Sequence, residues 1–240
     1  MSVGGTLGLI AGSFLATVIL RWPRGETIVA GRSACENCGR RLEVTELIPL
    51  ASWFWSRGRC RSCGSQIDRV HPAVEGLCAL IGAVSFAISP GVSGAVGALF
   101  GWILVALAAL DLRHFWLPDR LVLVLILLSI ASWWLGLAPS GPDRLFGALG
   151  GYAALAIVAL SYRRLRKREG LGAGDAKLFG ALGAMLGWQS LPLILVGACT
   201  VGLLFVAFRL AGGNKVQLAD RLPLGALLAF AAFPAWILQQ

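Results

Sequence analysis

Charge is what this sequence has least of. Only 14% of its 240 residues are Asp, Glu, Lys or Arg, against 57% hydrophobic, and the mean hydropathy is +0.77. Soluble domains carry roughly a quarter charged residues and under half apolar ones, so a soluble globular protein is excluded. Proline is scarce at 10, and the 31 glycines follow no repeat, which excludes collagen-like and disordered chains. The first apolar run lacks the basic residues that precede the apolar stretch of a signal peptide. Arg21 and Arg24 follow it instead, the pattern of a retained anchor with an external N-terminus. A Gly-rich dinucleotide-type loop is also missing, so no soluble-type nucleotide site is legible.

What is present is a series of apolar runs, read at residues 3–20, 73–89, 94–110, 121–137, 145–162, 178–186, 191–210 and 222–238, with the sixth starting as early as 174. A helix needs roughly 20 such residues to cross a hydrocarbon core, so the expected fold is an all-α polytopic membrane protein of about eight transmembrane helices. The basic residues support that count. Of 21 Lys and Arg, 20 fall in alternate links, and only Arg144 lies on the other side. The positive-inside rule places those links in the cytoplasm and both termini outside. The net charge of +9 then reflects topology and anionic lipid, with no nucleic acid as partner.

The longest link, residues 21–72, holds Cys35-Glu-Asn-Cys38-Gly39 and Cys60-Arg-Ser-Cys63-Gly64, two CxxCG units separated by 21 residues. Each unit sets two thiolates on a tight turn that the following glycine allows to close. Two units supply four sulfurs in the tetrahedral arrangement that suits structural zinc. A pair of disulfides is the alternative, disfavoured in a reducing compartment. Such a link has too little apolar sequence for its own core, which makes a metal staple physically sensible. Cys78 and Cys199 sit in apolar runs as small packing residues. Between the knuckles, Leu47-Ile-Pro-Leu50 and Trp53-Phe-Trp55 read as a bilayer-interface contact or a substrate platform.

The acids are concentrated in two other cytoplasmic segments. Asp111-Leu-Arg-His-Phe-Trp-Leu-Pro118-Asp119 closes the third run and opens the fourth; Gly172-Ala-Gly174-Asp175-Ala-Lys177 opens the sixth. An acid at the membrane boundary is costly and so points to function. Two acids brought together between helices cannot both ionise and share one proton. One carboxylate then takes a proton from water while the other, protonated, polarises a peptide carbonyl. That chemistry needs no metal and no covalent intermediate. Gly172 and Gly174 let a substrate strand approach, and Asp175 at a helix N-terminus is favoured by the dipole. Asp119, after Pro118, fits a helix cap, Asp220 a loop and His114 a solvated residue. Asp143 lies on the wrong face. Lys177 serves as an interface anchor or positions a substrate carbonyl.

At these residues the sequence resembles the type IV prepilin peptidase family, over nearly the whole chain. The matching stretches are Gly8-Leu-Ile-Ala-Gly-Ser-Phe-Leu15, both CxxC pairs, Ile48-Pro-Leu with Trp53, Arg57-Gly-Arg-Cys60 and Glu75. They continue with Asp111, Leu117-Pro-Asp119, Glu169-Gly-Leu-Gly-Ala-Gly-Asp-Ala-Lys177, Gly187-Trp188 and Leu222-Pro-Leu-Gly225. The resemblance implies an aspartic endopeptidase of the bacterial inner membrane, with Asp111 and Asp175 as its catalytic pair on the cytoplasmic side. Its implied partners are the lipid bilayer and the prepilins of type IV pili or the pseudopilins of type II secretion. It would remove their basic leaders after a Gly, then methylate the new N-terminus from S-adenosylmethionine. It also implies residues 1–90 as a putative methyltransferase region and 91–240 as a six-span peptidase domain. Three positions depart from the family pattern: Ala16 after Gly12-Ser-Phe-Leu15, Val70-His71-Pro72 in place of Arg-Tyr-Pro, and Pro223-Leu-Gly-Ala226 in place of Pro-Phe-Gly-Pro.

Two other classes compete on the residues alone. A proton-coupled transporter predicts acids at mid-span and inverted-repeat symmetry, whereas these acids lie at cytoplasmic ends. A non-catalytic zinc-knuckle scaffold predicts that Asp111 and Asp175 are dispensable and the four cysteines are not.

Overall fold

The computed structural model describes residues 3–27, 33–167, 170–212 and 222–240. Arg32, Arg168, Glu169, Lys215, Asp220 and Arg221, named above, lie outside that set. The described residues are helical, with two isolated β-bridges and no strand: α1 Val3–Arg21, α2 Ala51–Trp55, α3 Val70–Ile88, α4 Val92–His114, α5 Asp119–Trp134, α6 Gly141–Arg166, α7 Ala173–Leu186, α8 Leu191–Ala211 and α9 Leu224–Ile237. Every apolar run read from the sequence is a helix, and α2 is the added short one. Five segments, built on α1, α3, α4, α6 and α8, are long and apolar enough to cross a membrane. At 16, 14 and 14 residues, α5, α7 and α9 fall below that length. The chain divides into two compact units, residues 1–106 and 107–240, the division falling within α4.

The first unit is built on the antiparallel pair α1 and α3. Gly4, Gly8 and Gly12 recur every fourth residue and so share one face of α1. A Cβ on Gly8 would stand 2.2 Å from the Cys78 carbonyl oxygen, and one on Gly4 would stand 2.3 Å from that of Gly82. The two backbones are therefore in direct contact along a stripe of small residues, as helices pack in lipid, where no hydrophobic force drives them together. Cys78 is buried in this seam, as its apolar surroundings implied, whereas Cys199 lies on the exposed side of α8.

The same device joins α6 to α7 in the second unit, where a Cβ on Gly147 would lie 2.2 Å from the Gly183 carbonyl oxygen. Arg144 is the unexpected element there. Read from the sequence as the one basic residue on the external side, it is buried with 6% exposure near the start of α6. Its guanidinium donates to the carbonyls of Ser129, Leu137, Ala138, Pro139, Ala184 and Met185 at 2.9–3.4 Å, and to the Ser129 hydroxyl at 3.1 Å. These carbonyls lie toward the ends of α5 and α7, where helices leave oxygens without intrahelical donors and the dipole is negative. One cation thus ties three helices at the end of the unit opposite the acids.

Candidate active site

Asp111 is in the last turn of α4, which runs on past the expected boundary at residue 110 to His114 and ends at a left-handed Phe115. Asp175 is in the first turn of α7. Both are buried, with 5% and 8% exposure. Asp175 closes its own turn: the Gly172 N–H donates to its Oδ2 at 3.1 Å, and its N–H donates to the Gly172 carbonyl at 3.1 Å. Asp111 is held from a distant segment, the Ala226 N–H donating to its Oδ2 at 2.8 Å. The Gly225 N–H faces both carboxylates, and the charge of Asp111 is felt at Asp175. The two acids therefore converge beneath the first turn of α9, whose free amides and positive dipole end accept negative charge.

Leu117 holds these turns together. A Cβ on Gly174 would meet the Leu117 Cβ at 3.0 Å, and one on Gly225 would meet the Leu117 Cδ1 at 2.7 Å and the Asp111 Oδ2 at 3.0 Å. Gly174 and Gly225 are thus contact glycines, and Gly172 is exposed beside the acid it caps. Asp119 heads α5 and accepts from the Lys177 Nζ at 2.7 Å, an exposed ion pair that links the first turns of α5 and α7. His114 is exposed, as a solvated residue would be. The Gly225 and Ala226 amides are the site members that side-chain reasoning missed. Only the Leu222-Pro-Leu-Gly225 motif marked their place, without a role.

In the first unit the four knuckle cysteines gather, all their sulfurs within 4.8 Å of one another and Cys35 3.8 Å from Cys63. Zinc–sulfur bonds of about 2.3 Å in a tetrahedron put sulfurs about 3.8 Å apart, so the donor set fits that ion. The knuckles repeat in detail. Gly39 and Gly64 take positive φ of 68° and 70°, and each donates its N–H to the carbonyl of its own first cysteine at 2.9 Å. The Ala34–Arg41 and Arg59–Gln66 bridges close the two turns. The Cys63 thiol is pulled down to about 6, first by the Ser65 hydroxyl 3.1 Å away, which favours the thiolate that binds metal. Phe54 and Trp55 are exposed at 67% and 70%, while Trp53 turns inward against Gly58.

A multi-pass helical protein with a four-cysteine loop, followed by a helical unit that gathers two buried aspartates, has the architecture of a membrane-embedded aspartic peptidase. The comparisons with known proteins agree. Residues 6–88 match the bacterial peptidase A24 N-terminal domain, and residues 98–207 match the type IV leader peptidase family. This chain belongs to the type IV leader peptidase family.

It is 38% identical over 209 residues to the prepilin leader peptidase/N-methyltransferase of Aeromonas hydrophila, covering 87% of this chain and 72% of that one. It is 34% identical over 255 residues to the protein of the same name from Pseudomonas aeruginosa, covering 95% and 87%. That from Dickeya chrysanthemi is 38% identical over 231 residues, covering 82% and 78%. No solved structure matches the chain.

Proposed function

We propose that this protein cleaves the basic leader of prepilins or pseudopilins after a Gly, at the cytoplasmic face of the bacterial inner membrane, and N-methylates the end it creates. The observation that carries the peptidase is the convergence of Asp111 and Asp175 on the Gly225 amide. With one proton shared between them, the ionised carboxylate removes a proton from water as it attacks the scissile carbonyl. The protonated partner donates a hydrogen bond to the carbonyl oxygen, and the tetrahedral intermediate collapses with protonation of the leaving amine. Amides fixed at Gly172, Gly225 and Ala226 orient the pair without changing its charge. Gly172 leaves room at the rim, Gly174 packs the acid's turn against Leu117, and the Asp119–Lys177 pair braces the opening of α7.

In this reading α5, α7 and α9 complete eight spans with both termini outside. Zinc on Cys35, Cys38, Cys60 and Cys63 shapes the loop of the N-terminal region, 1–90, where methyl transfer from S-adenosylmethionine belongs, and 91–240 is the peptidase domain. The test is direct. Purified protein in lipid is incubated with a substrate of basic leader, Gly and apolar helix, and the new N-terminus is read by mass spectrometry with and without S-adenosylmethionine. Cleavage after Gly with an added methyl mass is expected. A folded, zinc-loaded protein that leaves several such substrates intact favours the scaffold reading.

A further inference from the structure

The first unit contains a cleft of about 470 Å³ that the peptidase chemistry does not use. It is walled by α1 at Ser13 and Thr17, by α2 at Trp53, by the opening turns of α3 at His71 and Glu75, and by the knuckle strand at Arg59. Its volume lies in the range of small-molecule and cofactor sites, about 300–1,000 Å³.

Two buried polar groups line it. The Trp53 Nε1 is buried and has no hydrogen-bond partner. An indole N–H left so normally finds an acceptor, and its absence costs about 1–3 kcal/mol. The ring is held in place: Gly58, at φ 68°, lies against the indole edge, and the Gly58 N–H donates to the Trp53 carbonyl at 2.8 Å. Glu75 is 6% exposed, and its Oε2 accepts from the Leu50 N–H at 2.8 Å. The charge balance is also unlike the rest of the chain. In a molecule of net charge +9, the acids Glu36, Glu46, Asp68 and Glu75 outnumber the three arginines of the lining.

We infer that this cleft is the methyl-donor site, taking the adenosyl sulfonium cofactor. The inference rests on the methylation reading above and gives it a place. An aromatic face carrying an unpaired N–H suits a purine, which offers a π-face and ring-nitrogen acceptors. A buried carboxylate among surplus acids suits a ligand with a sulfonium and an ammonium. Arg59 supplies a cation for the amino-acid carboxylate. When bound, the donor supplies an electrophilic methyl carbon: the substrate's neutral amine forms the C–N bond, the C–S bond breaks with its electron pair going to sulfur, and the resulting alkylammonium loses a proton to His71 or water. Glu75 and Trp53 are binding and orienting groups in this account.

The test is calorimetric titration of the full-length protein in nanodiscs with S-adenosylhomocysteine, for wild type, Trp53→Phe and Glu75→Gln, with leader cleavage run on each as a check of folding. Trp53→Phe keeps the ring and removes only the N–H. The expected result is saturable binding by wild type and a dissociation constant raised about tenfold in each variant, the effect of one lost buried hydrogen bond. If Glu75→Gln fails to fold for want of its bond to Leu50, Trp53→Phe alone carries the test. Wild-type affinity in a folded Trp53→Phe protein that still methylates would overturn the placement and leave the methylation reading standing. A wild type that cleaves but neither binds the homocysteine nor methylates would overturn both.

Discussion

At the scale of the residue, the acids are positioned by backbone. Asp175 takes an amide from Gly172, and Asp111 takes one from Ala226 at 2.8 Å. The Ala226 bond is a consequence of this chain's departure from the family motif, since the proline usual at that position has no N–H to give. Ala226→Pro is sterically suited to the first turn of α9 and should fold. It should move the optimum of the bell-shaped pH–rate profile by on the order of one unit, the worth of a hydrogen bond to a charged group. Cleavage rates measured between about pH 5 and 9 check this; a superimposable or flat profile counts against the shared proton. The aspartates themselves were legible because acids at a membrane boundary stand out against apolar sequence. Their amide partners were not, because a backbone N–H leaves no mark in the residue type that carries it.

At the scale of the element, close backbone contact replaces side-chain interdigitation. Gly8→Leu would drive a side chain into the Cys78 carbonyl, 2.2 Å from where its Cβ begins, and α1 would have to leave α3. The expected cost is at least the roughly 1–3 kcal/mol of overpacking, seen as a lower melting temperature in detergent. Arg144→Met would strand carbonyls of α5 and α7 and should destabilise by several kcal/mol, as removal of one side of a buried charged network does. A melting temperature unchanged in the Arg144 variant would mean that those carbonyls find other donors. The four-residue spacing of Gly4, Gly8 and Gly12 was visible in the sequence and is the signal of this packing, though it read only as one apolar run. Arg144 carried no such signal, because its acceptors come from three separate stretches of chain. Helix existence was legible from apolar runs, but the fate of the three short helices was not: at 14–16 residues, composition cannot tell a span from part of one.

At the scale of the whole molecule, a scarcity of charge organises everything else. The few ionisable groups fall into the cysteine loop, the aspartate pair and the basic links, and each group has a job that apolar residues cannot do. The two CxxCG units were the most legible feature of all, because thiolate spacing and the glycine after it encode the turn directly. Zinc removal is the corresponding prediction. A strong chelator should unfold the knuckle loop, read as protease cleavage between residues 33 and 69, because the metal supplies the stability that so small a module lacks. Resistance to proteolysis in the metal-free protein would show that the loop folds by its own contacts.

The central claim is that Asp111 and Asp175 are one catalytic unit. It is tested most directly by incubating wild type, Asp111→Asn and Asp175→Asn with a prepilin-type substrate in lipid and reading the new N-terminus by mass spectrometry. Each Asn variant should stay folded and metal-loaded while cleavage falls at least about a thousandfold, since neither carboxylate alone can both activate water and polarise the carbonyl. Substantial cleavage by either variant would contradict the account.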